Sequence, residues 1–318
     1  MQVTMLSNLS VLGVLLPLST YAFTNCPLIG PDFPAPKSLP SSKTFQSALK
    51  NLTQILSNAL TTGITSYGPF DPTNTSFSVE MFSTHQTLPL YTNHSSSPLL
   101  AESQYGTKSV DSNTIYRIGS LTKLISVYTF LIQDGDIKFD EPVTKYVPEL
   151  LAAAQALNAT QDPLDHVAWE DVTLGELASQ MADIGRDFAG FGELSTPLFG
   201  PQDPIVLGLP PLNSSELPAC IGAGYCTRAQ FFAGFTQRHP VYTPSTSPIY
   251  SNAAYQILAY ALENITGTAF PTMVEESLFK PLSLTASSWT LPENSTAVIP
   301  PTELATLGWS INLGDETP

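Results

Sequence analysis

Apolar residues at Phe45, Ala48, Leu49, Leu52, Ile55, Leu56, Ala59 and Leu60 recur every three or four positions, the period of one helical face. Ser41 or Ser42 supplies a cap before this helix, and Gly63 ends it. Two shorter runs alternate instead. Ser76–Phe82, with Phe77, Val79 and Met81 on one side, and Thr87–Tyr91 both read as strands. The pattern then changes type within a single stretch, Thr114–Leu131. Thr114–Ile118 is β-branched or aromatic and suits a strand, Gly119 permits a sharp turn, and Leu121, Leu124, Ile125, Val127, Tyr128 and Leu131 fall at helical spacing. A serine, Ser120, stands at that junction.

Further on, Gly135–Leu150 is turn-rich, and Pro142 and Pro148 limit regular structure. Val172–Ala178 predicts a helix start with Thr173 as cap and Glu176 three residues later. Phe188 to about Ala219 is rich in Gly and Pro and reads as an insertion or lid loop. Helices are predicted over Thr227–Gln237, over Ala253–Ile265 with Gly267 closing it, and over Ala269–Lys280. A helix, strands and a helix that begins at a serine make a layered α/β arrangement.

The ends and the composition add a setting. Residues 1–22 carry a short apolar run, Leu9–Leu18, before Thr20-Tyr21-Ala22, which predicts a signal peptide and a secreted, extracellular chain. No later segment is long and uncharged enough to span a membrane after its removal. Residues 23–40 are proline-rich and read as an extended arm, leaving 41–318 as one domain within which 135–267 is mostly helical. Asn-x-Ser/Thr sequons begin at Asn51, Asn74, Asn93, Asn158, Asn213, Asn264 and Asn294, and together favour an N-glycoprotein. Cys220 and Cys226 bracket a short loop that a disulfide could close, leaving Cys26 over. A net charge of −15 argues against nucleic acid and anionic membrane surfaces as partners.

Serine-x-x-lysine occurs three times, as Ser47–Lys50, Ser120–Lys123 and Ser277–Lys280. The first lies inside an amphipathic helix and reads as a solvated face; the last ends a helix, where lysine suits the helix dipole. Only Ser120 follows a strand-glycine entry that would present a nucleophile, with Lys123 one turn on along the same face. No Gly-x-Ser-x-Gly elbow occurs. His85, His94, His166 and His239 have no zinc-like spacing, so no metal is predicted. Asp183, Arg186 and Asp187 read as a small structural ion-pair cluster.

Tyr250-Ser251-Asn252, set directly before a helix and downstream of Ser120-Leu121-Thr122-Lys123, resembles the serine β-lactamase and penicillin-binding-protein family in its class C-related branch. YRIGSLTK, GDIKFDEPVTKYVPEL, VTLGELASQM, YSNAAYQILAYALENITG and VEESLFKPLSLTASSW follow one another as in that branch, over roughly residues 41–318. Tyr91-Thr92-Asn93 also fits Tyr-x-Asn, but it precedes the serine and reads as a surface loop. The signal, sequons and prolines suit a secreted, fungal-type member. The resemblance implies an antiparallel sheet flanked by helices plus a mostly helical subdomain, and no cofactor. It implies a small-molecule or peptide-like amide or ester substrate. By the same resemblance Ser120 is the acyl-forming nucleophile, Lys123 helps remove its proton with a lowered pKa, Tyr250 is the acid or base, and Asn252 binds substrate and lysine.

The sequence departs from the family in one respect that bears on activity. No Lys/His–small–Gly stretch follows Asn252, so the expectation is a shortened member lacking the C-terminal strands and helix. The alternative function is then a catalytically impaired glycoprotein that retains the scaffold. MADIGRD, residues 181–187, also differs from the family's His-Thr-Ser-Gly-Leu-like stretch and is expected to alter local loop packing rather than chemistry.

Overall fold

A computed structural model describes residues 36–103, 106–157, 165–188 and 226–289. The first helix, α1 (Lys43–Thr62), begins at Ser42, whose hydroxyl accepts from the Phe45 N–H, and ends at Gly63 with φ +68°. That left-handed turn is what glycine admits without penalty. The short strands β1 (Ile64–Thr65) and β2 (Gly68–Pro69) pair antiparallel. A second antiparallel pair follows, β3 (Phe77–Met81) with β4 (Tyr91–Ser95), in register Phe77↔Ser95 to Met81↔Tyr91.

That register corrects two expectations. The second strand does not occupy Thr87–Tyr91 but starts at Tyr91, and Tyr91-Thr92-Asn93 is strand rather than loop. The ladder decides it: once Met81 pairs with Tyr91, residues 82–90 are used up in the connection.

The helix α2 (Pro98–Glu102) is capped by Ser97. The predicted strand Thr114–Ile118 is instead an irregular approach segment with a single bridge residue at Ile115. A strand exists only by its ladder, and beyond that one bridge this segment is fastened by side chains. Tyr116 Oη lies 2.9 Å from Ser78 Oγ on β3, and that hydroxyl lies 2.8 Å from His94 Nδ1 on β4. Gly119–Leu121 then forms one 3-10 turn that runs into α3 (Thr122–Asp134).

The longer regular elements that follow among the described residues are helices: α4 (Pro148–Leu157), α5 (Leu174–Ser179), α6 (Arg228–Phe235), α7 (Asn252–Thr266) and α8 (Phe270–Val274), which continues as a π-turn over Glu275–Phe279. Pro148 opens α4, where its missing N–H and fixed φ do no harm, so the proline expected to limit structure starts a helix instead. Thr173 and Glu176 form the predicted capping box of α5. Phe130, Trp169, Phe231, Phe235, Ile257, Leu262 and Val274 are buried together, and α3, α7 and α8 pack on one another around them. Arg228 grips Glu149 with two hydrogen bonds, 2.7 and 2.9 Å, tying α6 to α4. Each partner holds the other charged: the Glu149 carboxyl is lowered and the Arg228 guanidinium raised, first through that contact.

Several expectations lie outside the described residues: the signal peptide, most of the arm, the loop 189–219, the C-terminal segment from 290, Cys26, Cys220 and the sequons at Asn158, Asn213 and Asn294. Cys226 is disulfide-bonded. Asn51 on α1 and Asn264 on α7 are exposed, whereas Asn74 and Asn93 are half-buried. No helix among the described residues is long and apolar enough to cross a membrane.

Candidate active site

Two helix starts face each other here. Gly119, with φ +52° and open space where a Cβ would stand, lets the chain turn into α3 so that Ser120 projects at its start. Lys123 is one turn later. Its Nζ lies 3.3 Å from Ser120 Oγ. Opposite, Ser251 caps α7: its hydroxyl accepts from the Ala254 N–H and donates to the Gly185 carbonyl, and it is buried. Tyr250 and Asn252 flank that buried cap and so project in fixed directions. Tyr250 Oη is 2.6 Å from Ser120 Oγ, and Asn252 Oδ1 is 2.6 Å from Lys123 Nζ. Residues 130 positions apart thus meet within hydrogen-bond reach.

The ammonium of Lys123 also sits 4.6 Å from the centre of the Tyr250 ring and 5.4 Å from that of Tyr255. The Tyr250 phenol is held below its usual range. Hydrogen bonding with Lys123 is the main cause, that with Ser120 comes next, and the charges of Lys123 and Arg186 add to them against partial burial. Tyr255 moves the other way, raised by burial, and anchors to the Ala178 carbonyl at 2.7 Å. A hydroxyl next to a phenol biased toward its anion, with a cation alongside, is the arrangement that activates a serine.

The other two serine-lysine pairs do nothing comparable. Ser47 and Lys50 are exposed on α1, Ser277 bonds to the Met273 carbonyl of its own helix, and Lys280 pairs with Glu276. The described residues around Ser120 are open to solvent on the α3 side, where Leu121 and Leu124 are 65% and 69% exposed. A groove of about 800 Å³ between α4 and α6, lined by Glu149, Ala153, His166, Arg228 and Phe232, is separate and includes none of these groups.

The loop 180–187 carries what the sequence reading missed. Its carbonyls at Gln180, Met181 and Asp183 accept from Ile249, Ser245 and Val241, and the Arg186 carbonyl accepts from both Asn252 and Ala253 at the start of α7. It therefore templates the Tyr-Ser-Asn turn. Asp183 is buried and accepts from Thr246, whereas Arg186 and Asp187 pair with each other at 3.1 Å, so the expected three-residue cluster divides. Asp187 Oδ1 accepts from Asn252 Nδ2 at 2.6 Å. The sequence signal was present in the charged pair itself, but only the fold directs it at the site.

A family model described as "Beta-lactamase" matches residues 99–299. The chain belongs to the β-lactamase family. A β-lactamase-like protein of Arthroderma benhamiae is 30% identical over 304 residues, covering 92% of this chain and 47% of its own length. The D-alanyl-D-alanine-carboxypeptidase/endopeptidase AmpH of Escherichia coli K12 is 25% identical over 180 residues, 56% of this chain and 37% of its own. The chain thus spans about half or less of the length of these relatives. Among solved structures, EstCE1, described as a hydrolase with promiscuous acyltransferase activity, superposes with a TM-score of 0.51 at 17% identity, covering 81% of this chain and 57% of that one. That likeness concerns the fold, which is β-lactamase/transpeptidase-like α/β.

Proposed function

We propose that this β-lactamase-family chain is an exported serine hydrolase that cleaves an amide or ester through an acyl-enzyme on Ser120. The observation that carries the reading is the 2.6 Å approach of Tyr250 Oη to Ser120 Oγ, with the Lys123 cation 3.3 Å from the same oxygen. In the first half-reaction Ser120 Oγ attacks the acyl carbonyl as its proton passes to the Tyr250 phenolate. The bond to the leaving group then breaks, and Tyr250 returns the proton to the departing oxygen or nitrogen. In the second half water attacks the acyl carbon, Tyr250 takes its proton, and the carboxylic acid leaves as Ser120 regains its hydrogen. Lys123 keeps its charge close to both oxygens, favouring phenolate and developing alkoxide. Asn252, with its carbonyl on Lys123, orients the ammonium. The Ser120 backbone N–H, at the start of α3, is one donor for the oxyanion.

Fluorophosphonate probe, or a labelled penicillin, is expected to modify Ser120 in the wild type and to leave Ser120→Ala unmodified. Equal labelling of the two proteins would overturn the reading. Turnover of a p-nitrophenyl ester or a chromogenic cephalosporin distinguishes a hydrolase from an impaired scaffold. For export, the exposed Asn51 and Asn264 are the proposed glycan acceptors; intact-mass analysis of protein secreted from a fungal host, before and after peptide N-glycosidase, checks this.

A further inference from the structure

Asn252 stands between two groups that demand opposite ends of its amide. Lys123 is donor-only and needs the oxygen; ionised Asp187 is acceptor-only and needs the NH2. Both are satisfied at 2.6 Å in the same orientation. Reversing the amide would set NH2 against an ammonium and oxygen against a carboxylate, losing two charge-assisted bonds at once. Lys123 has a second partner in Ser120 and can follow Asn252 if it turns. Asp187 has less freedom. Its side chain is 15% exposed, and its other oxygen takes the Arg186 Nε at 3.1 Å. The Arg186 carbonyl accepts the first two N–H groups of α7, from Asn252 at 2.8 Å and Ala253 at 3.1 Å, so the loop is fastened to the element that it orients. The Arg186 guanidinium also lies 5.2 Å from the centre of the Tyr250 ring. One dipeptide thus touches both site residues of the Tyr-Ser-Asn turn.

We propose that Asp187, held by Arg186, is a positioning residue for the Ser120 reaction: it sets the Asn252 amide so that its oxygen holds Lys123 against Ser120. The role rests on the proposed chemistry of Ser120 and acts wholly through Asn252. Asp187 is not placed on the substrate. A charged acceptor on a partly buried amide is worth roughly tenfold or more in the population of the correct orientation.

A double-mutant cycle tests this in the full chain, with the rate of fluorophosphonate labelling at Ser120 as the readout and thermal melting as the control. Asp187→Ala and Asn252→Ala are each expected to slow labelling by about tenfold or more, and the double variant is expected to be no slower than Asn252→Ala within about twofold. Asp187→Asn keeps an acceptor without the charge and falls between wild type and Asp187→Ala. Labelling of Asp187→Ala at the wild-type rate would overturn the proposal, as would a loss that adds fully to that of Asn252→Ala or that follows a lowered melting temperature. In either case wild-type labelling at Ser120 leaves the hydrolase reading standing. Absence of labelling in the wild type defeats both.

Discussion

The two sides of the site are built to different depths. Tyr250 and Asn252 flank Ser251, which is 1% exposed, and continue into Ala253 and Ala254, which are buried in the helical body. Ser120 and Lys123 sit instead among Ile118, Leu121 and Leu124, all of them exposed. The same contrast holds for the layers behind them. From Phe130 to Val274 the described chain has a continuous buried core, whereas before residue 120 its buried apolar residues are Leu49, Ala59, Leu100 and Val110, and neither β3 nor β4 contains a fully buried residue. The first turn of α3, with Ser120 and Lys123, is thus located by a glycine turn and a few hydrogen bonds ahead of the buried Ser126, Thr129 and Phe130, whereas Tyr250 and Asn252 are held by close packing at the residues themselves. Depth of burial, more than any propensity of the segment itself, decides which side keeps its geometry when perturbed.

The contrast can be broken most severely from beneath. The ring of Phe235 is buried against Phe231 at 5.0 Å and Trp169 at 6.2 Å, and it lies under Gly185 in the loop that templates Tyr250. Phe235→Ala is expected to cost about 3–5 kcal/mol in chemical denaturation and to slow Ser120 labelling at the same time. Next in size, Lys123→Ala should cut labelling by roughly 10²- to 10³-fold with little change in melting, because the ammonium serves charge rather than packing. A large fall in melting temperature for that variant would contradict the shallow setting of the first turn of α3.

Ser251→Ala removes a cap and a bond to the Gly185 carbonyl together, and should lower stability by about 1–2 kcal/mol in equilibrium unfolding.

The pH profile offers a finer measure. A lowered phenol pKa means that the base form of Tyr250 appears at lower pH than in free tyrosine. The stabilisation of that anion is fully present above the phenol's ordinary value and is lost as pH falls through the lowered one. The rising limb of labelling against pH should therefore lie below that of a free phenol. It should move upward in Lys123→Ala, and by less in Arg186→Ala, whose charge contributes least to lowering the phenol. The smallest effect belongs to Leu124→Ala: at 69% exposure it should change stability by no more than about 0.5 kcal/mol in the same unfolding assay.

Much of the local structure was legible in advance because its causes are local. Ser42 and Gly63 bound α1, Thr173 with Glu176 starts α5, and Gly267 closes α7, all as cap chemistry predicts, whereas the Ser251 cap of α7 emerges only in the structure. What failed depended on partners. Thr114–Ile118 has strand-like residues but is fastened through Tyr116 to Ser78, and the second strand moved to Tyr91–Ser95 because pairing with Phe77–Met81 set its register. Pro148 was read as a breaker although it stands at the one helical position that tolerates it.

The sequence by itself determined the ends of α1, the capped start of α5, the serine at a glycine turn with a lysine one turn on, and the tyrosine and asparagine at the start of a helix, because short-range hydrogen bonds and side-chain period are written in neighbouring residues. Only the tertiary structure decided that Ser120 meets Tyr250 at 2.6 Å, that Asn252 is gripped from both ends, and that Arg186 and Asp187 lie against Tyr250 and Asn252. These contacts span 65 to 130 residues, and only packing across the core specifies a distance over such separations.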